Sequence, residues 1–282
     1  MAITVNTNLG SLTAQKSLNS ATTKMNTAME RMTTGYRINS SKDDAAGMAV
    51  STKLDYKLSS LSVAQTNVQM GSSLLDTSEG VLGTLNDNLI RIRDLTEQAA
   101  NGTYGSDSMV AIQQEVEARL EEITRISKTV EFNGKYLLNG SMSEGIKLQV
   151  GIKSDDDSVI VLDKSLFKDA AASTLLEMPG LDVAAQYKND DTARAFLKNI
   201  DKGIANLTDR VSKIGGIQQR LDAALEATQA MSDTVTSSLS TIRDADIGTE
   251  SATYVKEQIL QQLSASMLAT ANQTPSIALD LV

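Results

Sequence analysis

The acidic side chains are the groups in this sequence from which catalysis or metal binding could be built. They stand side by side at Asp43-Asp44, at Glu121-Glu122 and in the triplet 155–157. Neighbouring positions on a helix point in different directions, so neither pair would converge on one substrate as a general acid and base must. The triplet lacks the spaced ligands, the glycine and the closing glutamate of a calcium loop. We therefore interpret the pairs as helix caps and surface charge, and the triplet as a solvated turn.

Composition excludes most other enzyme chemistry. The 282 residues include no histidine and no cysteine, so a Cys/His metal site, a Ser-His-Asp triad and a thiol nucleophile are all ruled out. No Gly-rich phosphate loop of standard spacing is present, and Gly215-Gly216 falls within a helical repeat, where it indicates a flexible point or a close helix contact. We expect no enzyme activity, no cofactor and no metal site.

Charge and aromatic content restrict the partners and the packing. The 26 basic residues against 35 acidic ones give a net charge of −9, which disfavours nucleic acid and anionic lipid as partners. No stretch is long and apolar enough for a membrane span, and the first ten residues lack the pattern of a cleaved signal. An aromatic content of 3% favours thin, elongated packing over one thick core.

Apolar residues at steps of three and four predict a mainly α fold with long antiparallel helices in a coiled-coil rod. The predicted helices cover residues 14–32, 45–99, 109–126, 200–242 and 259–271. Asp43 or Asp44 can cap the second helix, and we expect the second and third helices to fold back on each other. The last helix is expected to end before Pro275, because proline interrupts a helix.

The segment 131–190 has a different pattern. Ile146, Leu148 and Val150 alternate with polar residues, as in a half-buried strand, and the apolar run 159–162 follows after a polar loop. The sequence therefore predicts a small β-hairpin near residues 146–162.

The two end helices are too poor in large apolar residues to be stable alone. Full burial of Leu18, Met25 and Met32 would contribute at most about 5 to 9 kcal/mol, whereas ordering costs roughly 1.5 kcal/mol per residue. We therefore expect the paired N- and C-terminal helices to order when copies of the chain meet. The expected assembly seam consists of Leu18, Met25, Met32, Ile259, Leu263 and Met267.

Several segments closely resemble the shared ends of bacterial flagellins. The segment Arg31-Met-Thr-Thr-Gly-Tyr-Arg-Ile-Asn-Ser-Ser-Lys-Asp-Asp-Ala-Ala-Gly-Met-Ala49 resembles the N-terminal signature of that family. The resemblance continues over 88–101, at Phe132-Asn-Gly134 and over 258–273, and it covers roughly the first 150 and the last 90 residues. Because only about 50 residues follow Ile152 before the C-terminal helices, the chain resembles a short form with little or no outer domain.

The resemblance implies a structural subunit that self-assembles into the extracellular helical filament used as a propeller for bacterial motility. It implies secretion through the flagellar type III export apparatus and an inner-tube domain formed by residues 1–42 plus 243–282. Residues 43–242 would form a helical rod domain that includes the β-hairpin. Heterologous contacts that do not close would then build the filament.

The resemblance also implies partners other than further copies of the chain. These are the flagellar export chaperone, the cap, the hook-associated junction proteins and Toll-like receptor 5. The positions that match the receptor-binding motif are Arg91, Leu95 and Glu115. The same positions could instead serve subunit packing, and both interpretations stay open at this point.

Two other functions share the pattern of long helices without catalytic residues. A hook-filament junction protein has similar terminal helices but would not form long filaments alone. A cytoplasmic coiled-coil adaptor would have folded ends and would stop at a small oligomer. For the chain itself we expect neither nucleic acid as a partner nor insertion into a membrane.

Overall fold

The computed structural model describes residues 7–142 and 144–279, with side chains described as far as Gln273. The fold is mainly α, as predicted, with 76% of the residues in helices. The long helices are α1 Leu9–Thr34, α2 Ala45–Ala99, α3 Ser106–Thr129, α6 Asp190–Arg243 and α7 Ile247–Leu279. The short helices are α4 Ala172–Leu175 and α5 Val183–Gln186, and single 3₁₀ turns lie at Asp156–Ser158 and Lys164–Phe167.

The described strands form two small antiparallel pairs. Strand β1 Glu131–Phe132 pairs with β2 Lys135–Tyr136 across a turn in which Asn133 and Gly134 both have positive φ, at 50° and 76°. Two such residues give the turn twist that a two-residue hairpin requires. Strand β3 Ile146–Gln149 pairs with β4 Val159–Leu162, with Ile146 opposite Leu162 and Gln149 opposite Val159. The predicted hairpin near 146–162 is confirmed.

The chain divides into two compact units. The terminal unit comprises residues 1–58 and 233–282, and the central unit comprises residues 59–232. The terminal unit is therefore discontinuous in sequence. The division that we drew from the sequence, after residue 42 and before residue 243, was based on expected roles in an assembly and stays a prediction.

The central unit has a core of large apolar side chains from its long helices. Ion pairs and hydrogen bonds show that α2 and α3 are antiparallel, because Arg91 contacts Glu115 while Asn88 contacts Arg119. The fold-back of the second and third helices is thus confirmed. Fully buried core residues include Leu75, Leu82, Leu85, Leu89, Ile92, Val116, Ile123, Ile200, Leu207, Ile214 and Leu221.

The segment between β4 and α6 contributes the aromatic part of the core. Phe167, from a 3₁₀ turn, is buried, and Tyr187 packs edge-on against Phe196 of α6. The Tyr187 hydroxyl is hydrogen-bonded to Thr96, and burial raises the pKa of Tyr187 to about 12. Arg210 is also buried, and it donates hydrogen bonds to the carbonyl oxygens of Lys168 and Asp169.

Helices α1 and α7 pair along the terminal unit. The pairing is antiparallel, because Asn8 contacts Ala271 near the start of α1 whereas Arg31 contacts Glu250 near its end. The predicted pairing of the N- and C-terminal helices is confirmed.

The prediction that the last helix ends before Pro275 is wrong, since α7 continues to Leu279. Proline has no backbone N–H, so position 275 cannot donate to the Ala271 carbonyl four residues earlier. The Asn8 side chain donates to that carbonyl instead, with an N–O distance of 2.6 Å. A contact that is local in space but distant in sequence thus replaces the hydrogen bond that a proline removes.

The two connections next to α1 and α7 are joined to each other. Tyr36 forms an isolated β-bridge with Asp244, and the Ala245 N–H donates to the Gly35 carbonyl. The guanidinium of Arg243 lies 4.2 Å from the centre of the Tyr36 ring and 3.0 Å from a carboxylate oxygen of Asp55.

Side-chain capping fixes the loop before α2. Asp44 caps α2 by accepting from the N–H groups of Ala46 and Gly47, which confirms one of the two predicted caps. Asp43 accepts hydrogen bonds from the N–H and hydroxyl of Ser40, and these bonds lower its pKa. Both acids of this pair therefore stabilise local structure.

Candidate assembly surface

The contact between α1 and α7 is made largely by small and polar side chains. Ala21 and Ala28 are the buried residues of α1, and Glu257 and Ser264 are those of α7 among the described side chains. Small side chains allow two helices to approach closely but remove little apolar area from water. The pair therefore gains limited stability from its own interface.

Polar contacts fix the register of the pair. The Gln261 amide donates to the Thr22 hydroxyl at 3.0 Å, and Arg31 and Glu250 form an ion pair at 3.0 Å in which the Glu250 side chain is only 13% exposed. A charge-assisted contact of this kind is stronger than a neutral one, and it specifies the alignment of the helices.

The six seam residues predicted from the sequence divide into two groups. Leu18, Met25 and Met32 of α1 are half-buried, and Met32 accepts a hydrogen bond from Ser251 of α7. Ile259, Leu263 and Met267 of α7 are 59%, 54% and 60% exposed. The first group thus faces partly inward, whereas the second is left open to solvent.

Sequence reasoning missed one member of the exposed group on α7. Val255 is exposed beside the predicted residues, and so is Leu260, which the helical spacing places on the same side as Ile259 and Leu263. We call the set Val255, Ile259, Leu260, Leu263 and Met267 the exposed stripe. Their steps of four, one, three and four residues place them on one broad face of the helix, and this spacing is the signal that could have found Val255.

A groove runs along one side of the helix pair, with a volume of about 1090 Å³. We call it the terminal groove. Its lining includes Lys16, Ala21 and Lys24 from α1 and Glu257, Leu263 and Met267 from α7. Because members of the exposed stripe also line the groove, the stripe and groove form one continuous surface that could receive a helix.

The residues matched to the receptor motif are brought together only in part. Arg91 on α2 lies 3.3 Å from Glu115 on α3, and Glu115 also pairs with Arg119 at 3.1 Å. These side chains are partly exposed, so the network is screened by water. Leu95 is buried in the core of the central unit and does not share their surface.

The acidic triplet is exposed, as expected of a solvated turn, with Asp155 just before the 3₁₀ turn that contains Asp156 and Asp157. Asp155 accepts a hydrogen bond from the Ser158 hydroxyl at 2.6 Å, and this bond lowers its pKa. Within the described ranges, no group of three or more acidic side chains is placed to hold a metal ion. No helix among those residues is both long and apolar enough to cross a membrane.

The chain is similar to known proteins along its whole length. The family description "Bacterial flagellin N-terminal helical region" matches residues 5–143, and "Bacterial flagellin C-terminal helical region" matches residues 197–282. The chain is 34% identical to a flagellin of Xenorhabdus nematophila, with 100% of both chains covered. It is also 34% identical to a flagellin of Bacillus subtilis, with 99% of each covered.

Solved structures show a similar fold. A putative flagellar hook-associated protein from Vibrio parahaemolyticus superposes with a TM-score of 0.60 at 17% identity, and the match covers 72% of this chain and 100% of that one. At this level of identity the likeness concerns the fold alone.

Proposed function

Because the chain belongs to the bacterial flagellin family and is thus a structural filament subunit rather than an enzyme, we propose that its copies assemble through the α1–α7 pair. The exposed stripe is the observation that supports this proposal most strongly. Five large apolar side chains on one helix face are left in water when the chain is alone. Burial of each of them would contribute up to about 1.5 to 3 kcal/mol.

The proposed contact is heterologous, so that one surface of a copy meets a different surface of the next. Such contacts continue without closing and can generate a filament. The half-buried residues Leu18, Met25 and Met32 support this role from the α1 side, since they retain apolar area that a neighbour can cover. Motility would follow mechanically when a motor rotates the filament.

Flagellins form the bacterial flagellar filament, which is extracellular. For this chain we propose secretion through the type III apparatus and placement in that filament. The export chaperone, the cap and hook-associated junction proteins belong to the same proposal as partners. We assign inner-tube and rod roles to residues 1–42 plus 243–282 and to residues 43–242, as the resemblance implies.

Toll-like receptor 5 is a further proposed partner, through the surface that contains Arg91 and Glu115. The partial exposure of both side chains supports their accessibility in the free chain. Leu95 would act from beneath, by fixing the position of α2 against the core. A receptor assay of Arg91→Ala tests the assignment, because unchanged activation would contradict it.

The sequence left two other functions open, and neither is favoured. The likeness to a hook-associated protein extends to the fold, whereas the full-length relatives in sequence are flagellins. Nothing in the described residues favours a cytoplasmic adaptor over a filament subunit.

Electron microscopy of the purified chain after addition of ammonium sulfate tests self-assembly. This salt strengthens the burial of apolar surface, so we expect long filaments of uniform width. The triple variant Ile259→Gln, Leu263→Gln and Met267→Gln should stay monomeric, since it removes most of the exposed stripe. The control Val161→Gln changes a similarly exposed apolar residue on β4 and should assemble normally. Assembly of the triple variant at the wild-type concentration would contradict the proposed surface.

A further inference from the structure

Glu257 is a largely buried residue whose carboxylate has no partner among the described residues. The residue is 5% exposed and lines the terminal groove. Within the described part of the chain, it takes part in none of the ion pairs and side-chain hydrogen bonds. Its carboxylate oxygens are not among the fully enclosed unpaired atoms, so they are open to the groove, where a cation from another copy can reach them.

None of the basic residues of α1 and α7 forms an ion pair with Glu257. Helices α1 and α7 contain Lys16, Lys24, Arg31 and Lys256. Arg31 is paired with Glu250. Lys16 and Lys24 line the same groove as Glu257, but neither brings its nitrogen within the 4.0 Å of an ion pair.

Lys256 differs from Glu257 in that the isolated chain leaves its charge in water, whereas assembly would cover it. It is exposed and shares a shallow surface pocket with Val255, Ile259 and Leu260, so a positive charge lies among the residues of the exposed stripe. It cannot readily serve the adjacent Glu257, because successive positions on a helix do not face each other. When the stripe is covered by another copy, the Lys256 charge loses water as well.

A single contact between copies would give both Glu257 and Lys256 a partner of opposite charge. We propose that Lys256 of one copy pairs with Glu257 of a neighbouring copy at the assembly contact, an inference that rests on the self-assembly proposed above. The apolar residues of the stripe then exclude water around the pair, and the pair fixes the register between copies. Charge complementarity of this kind favours one alignment of partners over others.

Charge reversal tests the pair between copies. Lys256→Glu places two acids at the contact, and Glu257→Lys places two bases there. We expect each variant alone to raise the critical concentration for assembly by at least about tenfold, measured by sedimentation and electron microscopy. The double variant, with both charges exchanged, should return to within about threefold of the wild-type value.

Mixing the two single variants distinguishes a pair between copies from one within a copy. In an alternating assembly, the acid introduced by Lys256→Glu in one copy meets the base introduced by Glu257→Lys in the next. The reverse contact is also complementary, because the unchanged Glu257 of the first variant then meets the unchanged Lys256 of the second. The mixture should therefore form filaments at a concentration at which neither variant does. Lys24→Gln is the control for a pair within the groove, and it should assemble at the wild-type concentration.

The results separate the pair from the assembly on which it rests. If the wild-type chain assembles but the mixture and the double variant do not, the pair is wrong and self-assembly stands. Loss of assembly in Lys24→Gln without rescue by mixing would assign Glu257 to its own chain and would likewise overturn the pair. A wild-type chain that stays monomeric would overturn self-assembly and the pair with it.

Discussion

Asn8 connects the start of α1 to the last turns of α7 with one amide side chain. Its oxygen accepts from the Ser11 N–H and caps α1, while its nitrogen donates to the Ala271 carbonyl. The second bond replaces the donor that Pro275 lacks. A single side chain thus begins one helix and allows the other to continue past a proline.

Asn8→Ala should destabilise the helix pair by about 1 to 3 kcal/mol, because it removes the cap and leaves a carbonyl unpaired. Asn8→Asp is the matched variant, since it keeps a capping oxygen but replaces the donor by a negatively charged acceptor that the Ala271 carbonyl repels. We expect hydrogen exchange near the end of α7 to accelerate in both variants and exchange at the start of α1 to accelerate mainly in Asn8→Ala.

Adding Pro275→Ala to Asn8→Asp provides the control for the explanation. An alanine at 275 restores a backbone N–H that can donate to Ala271, so the loss at the end of α7 should largely disappear. Exchange that stays as fast in the double variant as in Asn8→Asp would contradict the compensating role of Asn8.

At the scale of elements, contact between β3 and α2 depends on a glycine. A Cβ added at Gly71 would lie close to a terminal methyl of Leu148, whereas one added at Gly80 on the same helix meets nothing within 4 Å. The Asn67 amide also donates to the Gln149 carbonyl at 3.1 Å. The hairpin therefore packs closely on α2 at Gly71, because a glycine has no side chain that would separate the two.

The two glycines give a matched pair of substitutions. Gly80→Ala should stabilise the chain by about 0.5 to 1 kcal/mol, because alanine favours the helix and no neighbour obstructs it. Gly71→Ala should give a smaller gain or none, since the terminal methyl of the half-buried Leu148 must move aside to admit the new Cβ. Urea unfolding of both variants measures the difference. Equal stabilisation would show that the hairpin does not depend on contact at Gly71.

The elements also show how far the sequence could predict the fold. The long helices and the hairpin follow from local periodicity, so their approximate positions could be predicted. The course of 163–190 could not, because its short helices and turns depend on burying Phe167 and Tyr187 against distant helices. The end of α7 was missed for a similar reason, since the compensating Asn8 lies 263 residues away from Ala271.

The candidate site was predictable to a similar extent. Helical spacing identified Ile259, Leu263 and Met267, which the structure leaves exposed. The same spacing could not show that Leu18, Met25 and Met32 are half-buried, because that depends on which face of α1 meets α7. For α2 the spacing placed Leu95 on the apolar stripe with Leu89 and Ile92, and Leu95 is in the core whereas Arg91 is exposed.

At the scale of the whole molecule, the two units differ in what holds each together. Large buried apolar residues are concentrated in the central unit. In the described part of the terminal unit, the buried apolar residues are Ala21, Ala28 and Ile38. Burial of each large apolar side chain stabilises a fold by about 1.5 to 3 kcal/mol. The terminal unit therefore gains much less free energy of unfolding from apolar burial than the central unit does. If a neighbouring copy supplies the missing burial, as proposed, folding of this unit is coupled to assembly.

Limited proteolysis before and after assembly should reveal this difference. In the monomer, trypsin should cleave first in the terminal unit, at exposed lysines such as Lys16, Lys24 and Lys256, because local opening exposes segments with few buried contacts. The central unit should persist as the resistant fragment, identified by mass spectrometry. In filaments the same lysines should be protected, since the proposed contact between copies covers the exposed stripe and the terminal groove. If residues 1–58 of the monomer resist trypsin for as long as residues 59–232 do, the terminal unit is stable without a neighbour.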